Sequence, residues 1–309
     1  MSVVIPTWGR PTLVRRALDS VLSQTERSIE VIVVIDGPDP ATIAALAEVG
    51  DGRVRTVELP ERGGAAAARN QGIGAATAPW VALLDDDDEW LPEKLATQLA
   101  IAAASPWRRP VVSCRLIART ADGDLLLPRR APRPDEPVSE YLTVRHHVFR
   151  GEGFLSTSTL VAPTDVFREV PFSVALPHMQ DIDWILRACR LPDVGIECAV
   201  EPLSIRHDED DRPRISGAKD WRTTFDWVTS NRDLFTPRAY AAALMGLVSA
   251  LAAPTHDRRA LRVILREAVR DGRPTALEYA TFAQVWLIPR SFRHALRARL
   301  AWRSLRYRT

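Results

Sequence analysis

The sequence predicts an α/β fold, a mostly parallel central sheet flanked by helices with a helical extension at the C-terminal end, and three observations predict it. Over the first hundred residues, short apolar runs alternate with helix-period segments, the pattern of successive βα units. Runs such as Val31–Ile35 and Trp80–Leu84 are apolar throughout, as in strands covered on both faces. From about Trp221 onward only helical patterns remain.

Val3-Val4-Ile5 forms the first strand and Pro6-Thr7-Trp8-Gly9-Arg10 the turn after it. Pro11 opens a helix through about Gln24, with Leu13, Val14, Ala17, Leu18, Val21 and Leu22 on one face. Val31–Ile35 is the second strand and ends in Asp36-Gly37. Asp39 as N-cap and Pro40 at the first position start the next helix, which Gly50 stops. Val54–Val57 is the third strand, and Gly63-Gly64 leads into an alanine-rich helix from Ala65 to about Ala76. Trp80–Leu84 is the fourth, and after an acidic run a helix extends from Pro92 to about Ala104. Beyond Val111 the pattern weakens: Leu126 to Val138, with four prolines, reads as a loop, and a helix returns near Asp183–Cys189. The domain reading is 1–220 as one α/β domain with halves 1–110 and 111–220, then 221–309 as a basic helical region.

Cys114, Cys189 and Cys198 form no CxxC pair, which excludes a zinc ribbon or disulfide scaffold. The first strand begins directly after Met1 and leaves no room for an export leader, so the expected location is the cytoplasm. The uncharged stretch Ala239–Ala253 is shorter than the ~20 residues that span a bilayer and reads as a buried helix. Charge is unevenly spread: thirteen arginines face four acids from Pro254 onward, whereas residues 1–253 carry 28 basic and 35 acidic side chains. The Arg-rich stretch Pro289–Thr309 resembles a basic amphipathic helix, suited either to packing on the main domain or to peripheral contact with anionic lipid at the inner face of the membrane. No recognition motif accompanies this charge, and no nucleic-acid partner is expected.

Chemistry concentrates at Asp85-Asp86-Asp87-Asp88, directly behind the fourth strand. In open parallel sheets ligands bind beyond the carboxyl ends of the strands, so Thr7, Asp36 and Asp85 to Asp88 are expected to converge there. Two charges ~4 Å apart repel by roughly 4 kcal/mol at a partly buried site, which a bound cation relieves. Oxygen ligands without His or Cys beside them suit Mg²⁺ or Mn²⁺ on phosphates. If the strand stays extended, Asp85 and Asp87 share one face and Asp86 and Asp88 the other; the competing reading is an acidic cap on the helix opened by Pro92. The backbone N–H groups of Gly63-Gly64-Ala65 could meet a phosphate, and Arg69 a diphosphate or an acid.

The ordered set Val3-Val4-Ile5-Pro6-Thr7, Val33-Val34-Ile35-Asp36-Gly37, Ala68-Arg69-Asn70-Gln71-Gly72, Leu84 to Leu95 and Gln180-Asp181-Ile182-Asp183-Trp184 resembles the nucleotide-sugar-dependent glycosyltransferases of family 2 over roughly residues 2–215. That resemblance implies a GT-A fold, with 1–110 binding the nucleotide sugar and 111–220 the acceptor. It implies an inverting transfer of a sugar from a nucleoside diphosphate, UDP or dTDP, to a hydroxyl of a glycan, lipid-linked or small-molecule acceptor in cell-surface polysaccharide or glycoconjugate synthesis. By the same resemblance, Pro6, Thr7, Arg10, Asp36, Arg69, Asp85 and Asp86 bind the nucleotide sugar. Asp87 and Asp88 hold the metal, Mg²⁺ or Mn²⁺, with His207 as an additional ligand, and Asp181 is the general base. Arg212 or Arg214 would clamp phosphate. Gln180 stands where the family commonly has Glu, and Asp36 is a single acid where two are usual. An Asp of ordinary acidity, near ~3.9, needs placement rather than tuning to act as base. The alternatives are a sugar-nucleotide nucleotidyltransferase, against which stands the lack of a Gly- and Lys/Arg-rich loop at Trp8-Gly9-Arg10-Pro11, and a non-catalytic nucleotide- or glycan-binding module.

Overall fold

The computed structural model describes residues 1–121, 123–208, 220–289 and 292–293. The chain divides into two compact units, Met1–Leu127 with Leu155–Asp210, and Pro128–Phe154 with Asp211–Thr309. Residues 128–154, which the sequence reading included in the 111–220 half, therefore group with the later helices.

In the first unit, β1 (Ser2–Thr7), α1 (Pro11–Leu22), β2 (Glu30–Ile35), α2 (Pro40–Ala47), β3 (Val54–Glu58), α3 (Gly64–Ala75) and β4 (Trp80–Leu83) follow the expected alternation. β3, β2, β1 and β4 lie side by side and parallel, with Ser2 opposite both Glu30 and Val81. β1 is buried at every residue. Val3 and Ile5 join Val14, Leu18 and Val21 of α1 in one core. Val4 points to the other face, where a Cβ on Gly72 of α3 would stand 2.4 Å from its Cγ1; α3 approaches the sheet this closely because that position carries no side chain. Pro11 at the start of α1 and the Asp39 carboxylate accepting from the Thr42 N–H (3.2 Å) set the two helix starts as the sequence predicts.

The parallel run ends at β4. Next along the chain come β5 (Asp88–Trp90), α4 (Lys94–Ala104), β6 (Arg109–Thr120), β7 (Gly123–Leu127) and, in the second unit, α5 (Val138–Thr143). β8 (Val161–Pro163), α6 (Thr164–Glu169), α7 (Gln180–Ala188) and β9 (Val194–His207) complete the first unit. Beyond β4 the sheet continues β8-β6-β9-β5 with mixed directions: β8 is antiparallel to β4 and β6, β9 is parallel to β6, and β5 is an antiparallel edge on β9. Leu126 and Leu127, assigned to a loop by the sequence, belong to β7, hairpinned on β6.

The second unit is helical: α5, α8 (Trp221–Ser230), α9 (Pro237–Ala242), α10 (Ser249–Ala252), α11 (Arg258–Asp271) and α12 (Ala276–Leu287). A π-helical turn, Ala243–Val248, joins α9 to α10, and this stretch is largely buried as the sequence predicts. Thr275 and Glu278 form a reciprocal cap at the start of α12. Among the described residues no helix is long and apolar enough to cross a membrane. Most of the Arg-rich Pro289–Thr309 stretch, together with Arg212 and Arg214, lies outside the described residues.

Candidate active site

The carboxyl edges of β1, β2 and β4 bring the sequence's polar candidates together. Asp36 N–H donates to the Thr7 carbonyl (2.9 Å), and Thr7 Oγ1 donates to Asp86 Oδ2 (2.8 Å). The four aspartates do not continue the strand. Asp88 N–H closes a turn onto the Asp85 carbonyl (3.1 Å), so the side chains fan out instead of alternating between two faces. Asp85 accepts from Arg69 Nη2 at 2.6 Å. Asp86 is buried against Thr7 and Arg10, whose Nη1 lies 3.0 Å from it and 3.4 Å from Asp87. The Asp87 carboxylate stays partly exposed, while its backbone carbonyl is held by Arg16 (2.8 Å).

Asp88 departs furthest from expectation. It is buried and opens the edge strand β5, opposite Arg206 of β9, instead of capping a helix. Helix α4 starts later, at Lys94, without a side-chain cap. Burial, then repulsion from Asp85 and Asp87, pushes the Asp88 carboxyl well above the usual carboxylate range, against a hydrogen bond to Ser158. Burial likewise raises Asp86 to about 6, opposed by Arg10 and Thr7. For Arg10, burial works against the charge, but the attraction of Asp86, Asp87 and Asp85 outweighs it and the guanidinium is raised. The cluster is thus short of positive charge even with Arg10 and Arg69 in place.

Asp36 has a structural task that its sequence does not announce. Its carboxylate accepts from Gly63 N–H (2.8 Å) and Gly64 N–H (3.0 and 3.1 Å), so it caps α3 from outside. Those N–H groups, candidates for a phosphate, are already satisfied, and Asp36 keeps little acceptor capacity for anything else. Nearby, the Arg62 guanidinium stacks on the exposed Trp8 indole, 3.6 Å from its ring centre, a planar surface the sequence reading did not pick out.

Arg69 links the two ends of the site. It is buried, lies 5.5 Å from the Phe172 ring centre, and donates Nη1 to Gln180 Oε1 (2.8 Å) as well as Nη2 to Asp85. Gln180 begins α7, so Arg69 ties the acidic turn to the helix start that carries Asp181. Asp181 is not the N-cap of α7; that position is Met179, held at φ +64. Burial raises the Asp181 carboxyl, which its hydrogen bond from the Ile182 N–H (2.9 Å) and Arg69 pull down and Asp85 pushes up. Ordinary acidity is therefore corrected: the packing around α7 desolvates this carboxylate. Asp183 turns instead to Arg187, at 2.5 Å.

His207 does not join the acidic turn as a ready ligand. Its Nε2 lies 2.6 Å from Glu89 Oε1, which also faces Arg16 Nε at 3.2 Å. Among the described residues no three His, Cys, Asp or Glu side chains form a preassembled metal shell. Asp87 still fits a hard divalent ion: it is a partly exposed carboxylate with one long contact to Arg10, inside a cluster whose own repulsion a cation relieves. Ser158 was missed by the sequence reading. Its Oγ accepts from Asp85 N–H (3.1 Å), and its carbonyl accepts from the Trp90 indole (2.7 Å), which fixes the turn from below.

The order of this sheet, with an acidic turn at the end of β4, is that of the GT-A fold. S. aureus TarS residues 1–349, solved in complex with UDP-GlcNAc, has the same fold, with a TM-score of 0.56 at 15% identity, 94% of this chain and 76% of that one being covered. Residues 2–129 match the model of glycosyl transferase family 2. AmsB, the amylovoran biosynthesis glycosyltransferase of Erwinia amylovora, is 27% identical over 79% of this chain and 83% of its own length. WcaA, a putative colanic acid biosynthesis glycosyl transferase of Escherichia coli K12, is 28% identical over 76% of this chain and 82% of its own. Over residues 2–129 the chain is thus similar to glycosyl transferase family 2, and beyond them to polysaccharide-biosynthesis glycosyltransferases.

Proposed function

We propose that this glycosyltransferase moves one sugar from a nucleoside diphosphate, UDP or dTDP, to an acceptor hydroxyl with inversion at the anomeric carbon. The observation that carries the reading is Arg69, whose two hydrogen bonds hold the acidic turn and the start of α7 in one frame. Asp181 is the base: it takes the acceptor proton as the oxygen lone pair forms the new C–O bond. The bond to the diphosphate breaks on the opposite side, and its electron pair leaves with the phosphate oxygen. Burial strengthens this base, and the nearby Arg69 charge favours its ionised form.

Thr7, Arg10, Asp85 and Asp86 are assigned to the ribose and diphosphate end, with Pro6 bordering the nucleoside. Asp36 acts there through the α3 start, with any contact to the base limited to its remaining lone pair. Asp87 would hold Mg²⁺ or Mn²⁺, which when bound offsets charge on the departing phosphates. Asp88, buried and turned inward, and His207, engaged by Glu89, are the weaker candidates. Kinship with AmsB and WcaA supports a place in polysaccharide biosynthesis, with a glycan acceptor.

The test pairs thermal shifts against UDP, dTDP, GDP and CDP, each with and without Mn²⁺, with turnover of the matching nucleotide sugar. A ligand at a hundred times its dissociation constant stabilises by about 2.7 kcal/mol. Asp181→Asn is expected to keep the shift and to lose roughly 10²–10⁴-fold in turnover, whereas Asp87→Ala loses the Mn²⁺-dependent part of the shift. Full turnover by Asp181→Asn removes the assigned base, and no shift with any nucleotide removes the donor site.

A further inference from the structure

Helix α11 carries a feature that sugar transfer does not use. Arg258, Arg259, Arg262, Arg266 and Arg270 are all exposed, while Ala260, Ile264 and Ala268 on the opposite side are buried in the second unit. At 3.6 residues per turn the five arginines fall within an arc of about 120° and extend about 18 Å along the helix. Both acids of the helix lie off this stripe and face inward: Glu267 accepts from the Tyr240 hydroxyl (2.9 Å), and Asp271 pairs with Arg232 (3.1 Å). Arg270 reaches these two acids, but among the described residues Arg258, Arg259, Arg262 and Arg266 make no ion pair.

Four unneutralised guanidinium groups along one line repel each other and weaken the helix, so the arrangement points to an anionic partner. We infer that this face of α11 docks on an anionic lipid surface. Arrayed along about 18 Å of one helix face, these charges suit an extended anionic surface rather than a single bound anion. Single-stranded nucleic acid is read by aromatic platforms, and α11 has no aromatic residue. Val269, 48% exposed, lies within the stripe and Val263, 47% exposed, at its edge, apolar groups among the charges that suit a headgroup layer better than a polar glycan chain. None of these arginines belongs to the stretch after Pro289 or to the residues assigned to the transfer.

The test is co-sedimentation of the full chain with phosphatidylglycerol-containing vesicles and with phosphatidylcholine vesicles, at low and high salt. About 1 kcal/mol per arginine near an anionic surface corresponds to roughly fivefold in binding for each. Arg259→Gln/Arg262→Gln/Arg266→Gln is therefore expected to bind anionic vesicles about a hundredfold more weakly, with a melting temperature that stays the same or rises as the repulsion is relieved, and unchanged turnover on a soluble acceptor. Wild-type binding is expected to weaken with salt. Anionic-vesicle binding unchanged by the triple substitution overturns the inference and leaves the tail after Pro289 as the lipid contact. Equal wild-type binding to both vesicle types overturns it too, as does retention of a soluble anionic polysaccharide or RNA in place of vesicles.

Discussion

Replacing Asp86 with Asn should stabilise this protein at neutral pH while weakening its donor site. Asp86 is only 6% exposed, and burial outweighs Arg10 and Thr7 to raise its carboxyl from 3.8 to about 6. At about 1.4 kcal/mol per tenfold change in acidity, that displacement disfavours the ionised form in the folded state by roughly 3 kcal/mol. Because the folded value lies above the unfolded one, the group's contribution to stability is fully present below the unfolded value and is lost as pH rises through about 6. Asn has the shape of the neutral carboxyl and does not titrate. Urea unfolding of both proteins from pH 4 to pH 8 should give similar stabilities at the acid end. The variant should then gain by about 3 kcal/mol by pH 7, with equal denaturant slopes. Asp88, also raised, is common to both proteins and cancels in the difference. Parallel profiles would refute the claim that Asp86 is held ionised at a cost. The same variant should bind nucleoside diphosphate more weakly, since the charge that orients Arg10 is reduced.

Two further predictions concern the frame around the site. Arg69→Met removes the donors to Asp85 and Gln180 and should cost roughly 1.5–3 kcal/mol in thermal or urea unfolding. It should also move the acid limb of the kcat/KM profile to higher pH, because Asp181 loses the charge that lowers it; an unshifted limb removes that coupling. Gly72→Ala sets a Cβ 2.4 Å from Val4 Cγ1 and 3.0 Å from Val34 Cγ2. It should destabilise by about 1–3 kcal/mol, part of which Val4→Ala restores in a double-mutant cycle.

Much of the first unit was legible because its signals are local. Fully apolar runs placed β1, β2 and β4, Pro11 and Asp39-Pro40 marked two helix starts, and the end of β4 put the aspartates at the carboxyl edge of the sheet. The parallel pattern gave no warning of the mixed half. β5 exists only because Asp88, Glu89 and Trp90 pair with Arg206, Ile205 and Ser204, more than a hundred residues away, and three residues that end in an acidic run carry no strand period of their own. Ser158 escaped notice for the same reason, since a lone serine gains meaning only under the turn it supports.

The sequence by itself determined which side chains are available: four adjacent carboxylates behind a buried strand, two arginines within reach of that edge, and one further aspartate at the start of a late helix. Side-chain type and short-range period suffice for that, because they act through neighbours along the chain. Only the tertiary structure decided what each group does. The Asp85-to-Asp88 turn sends four identical side chains into four environments, Asp36 is drawn to the N–H groups of α3, and Arg69 meets Gln180 across 111 residues. Burial and partner geometry fix proton affinity and orientation, and both are properties of the packed sheet edge rather than of any stretch of sequence.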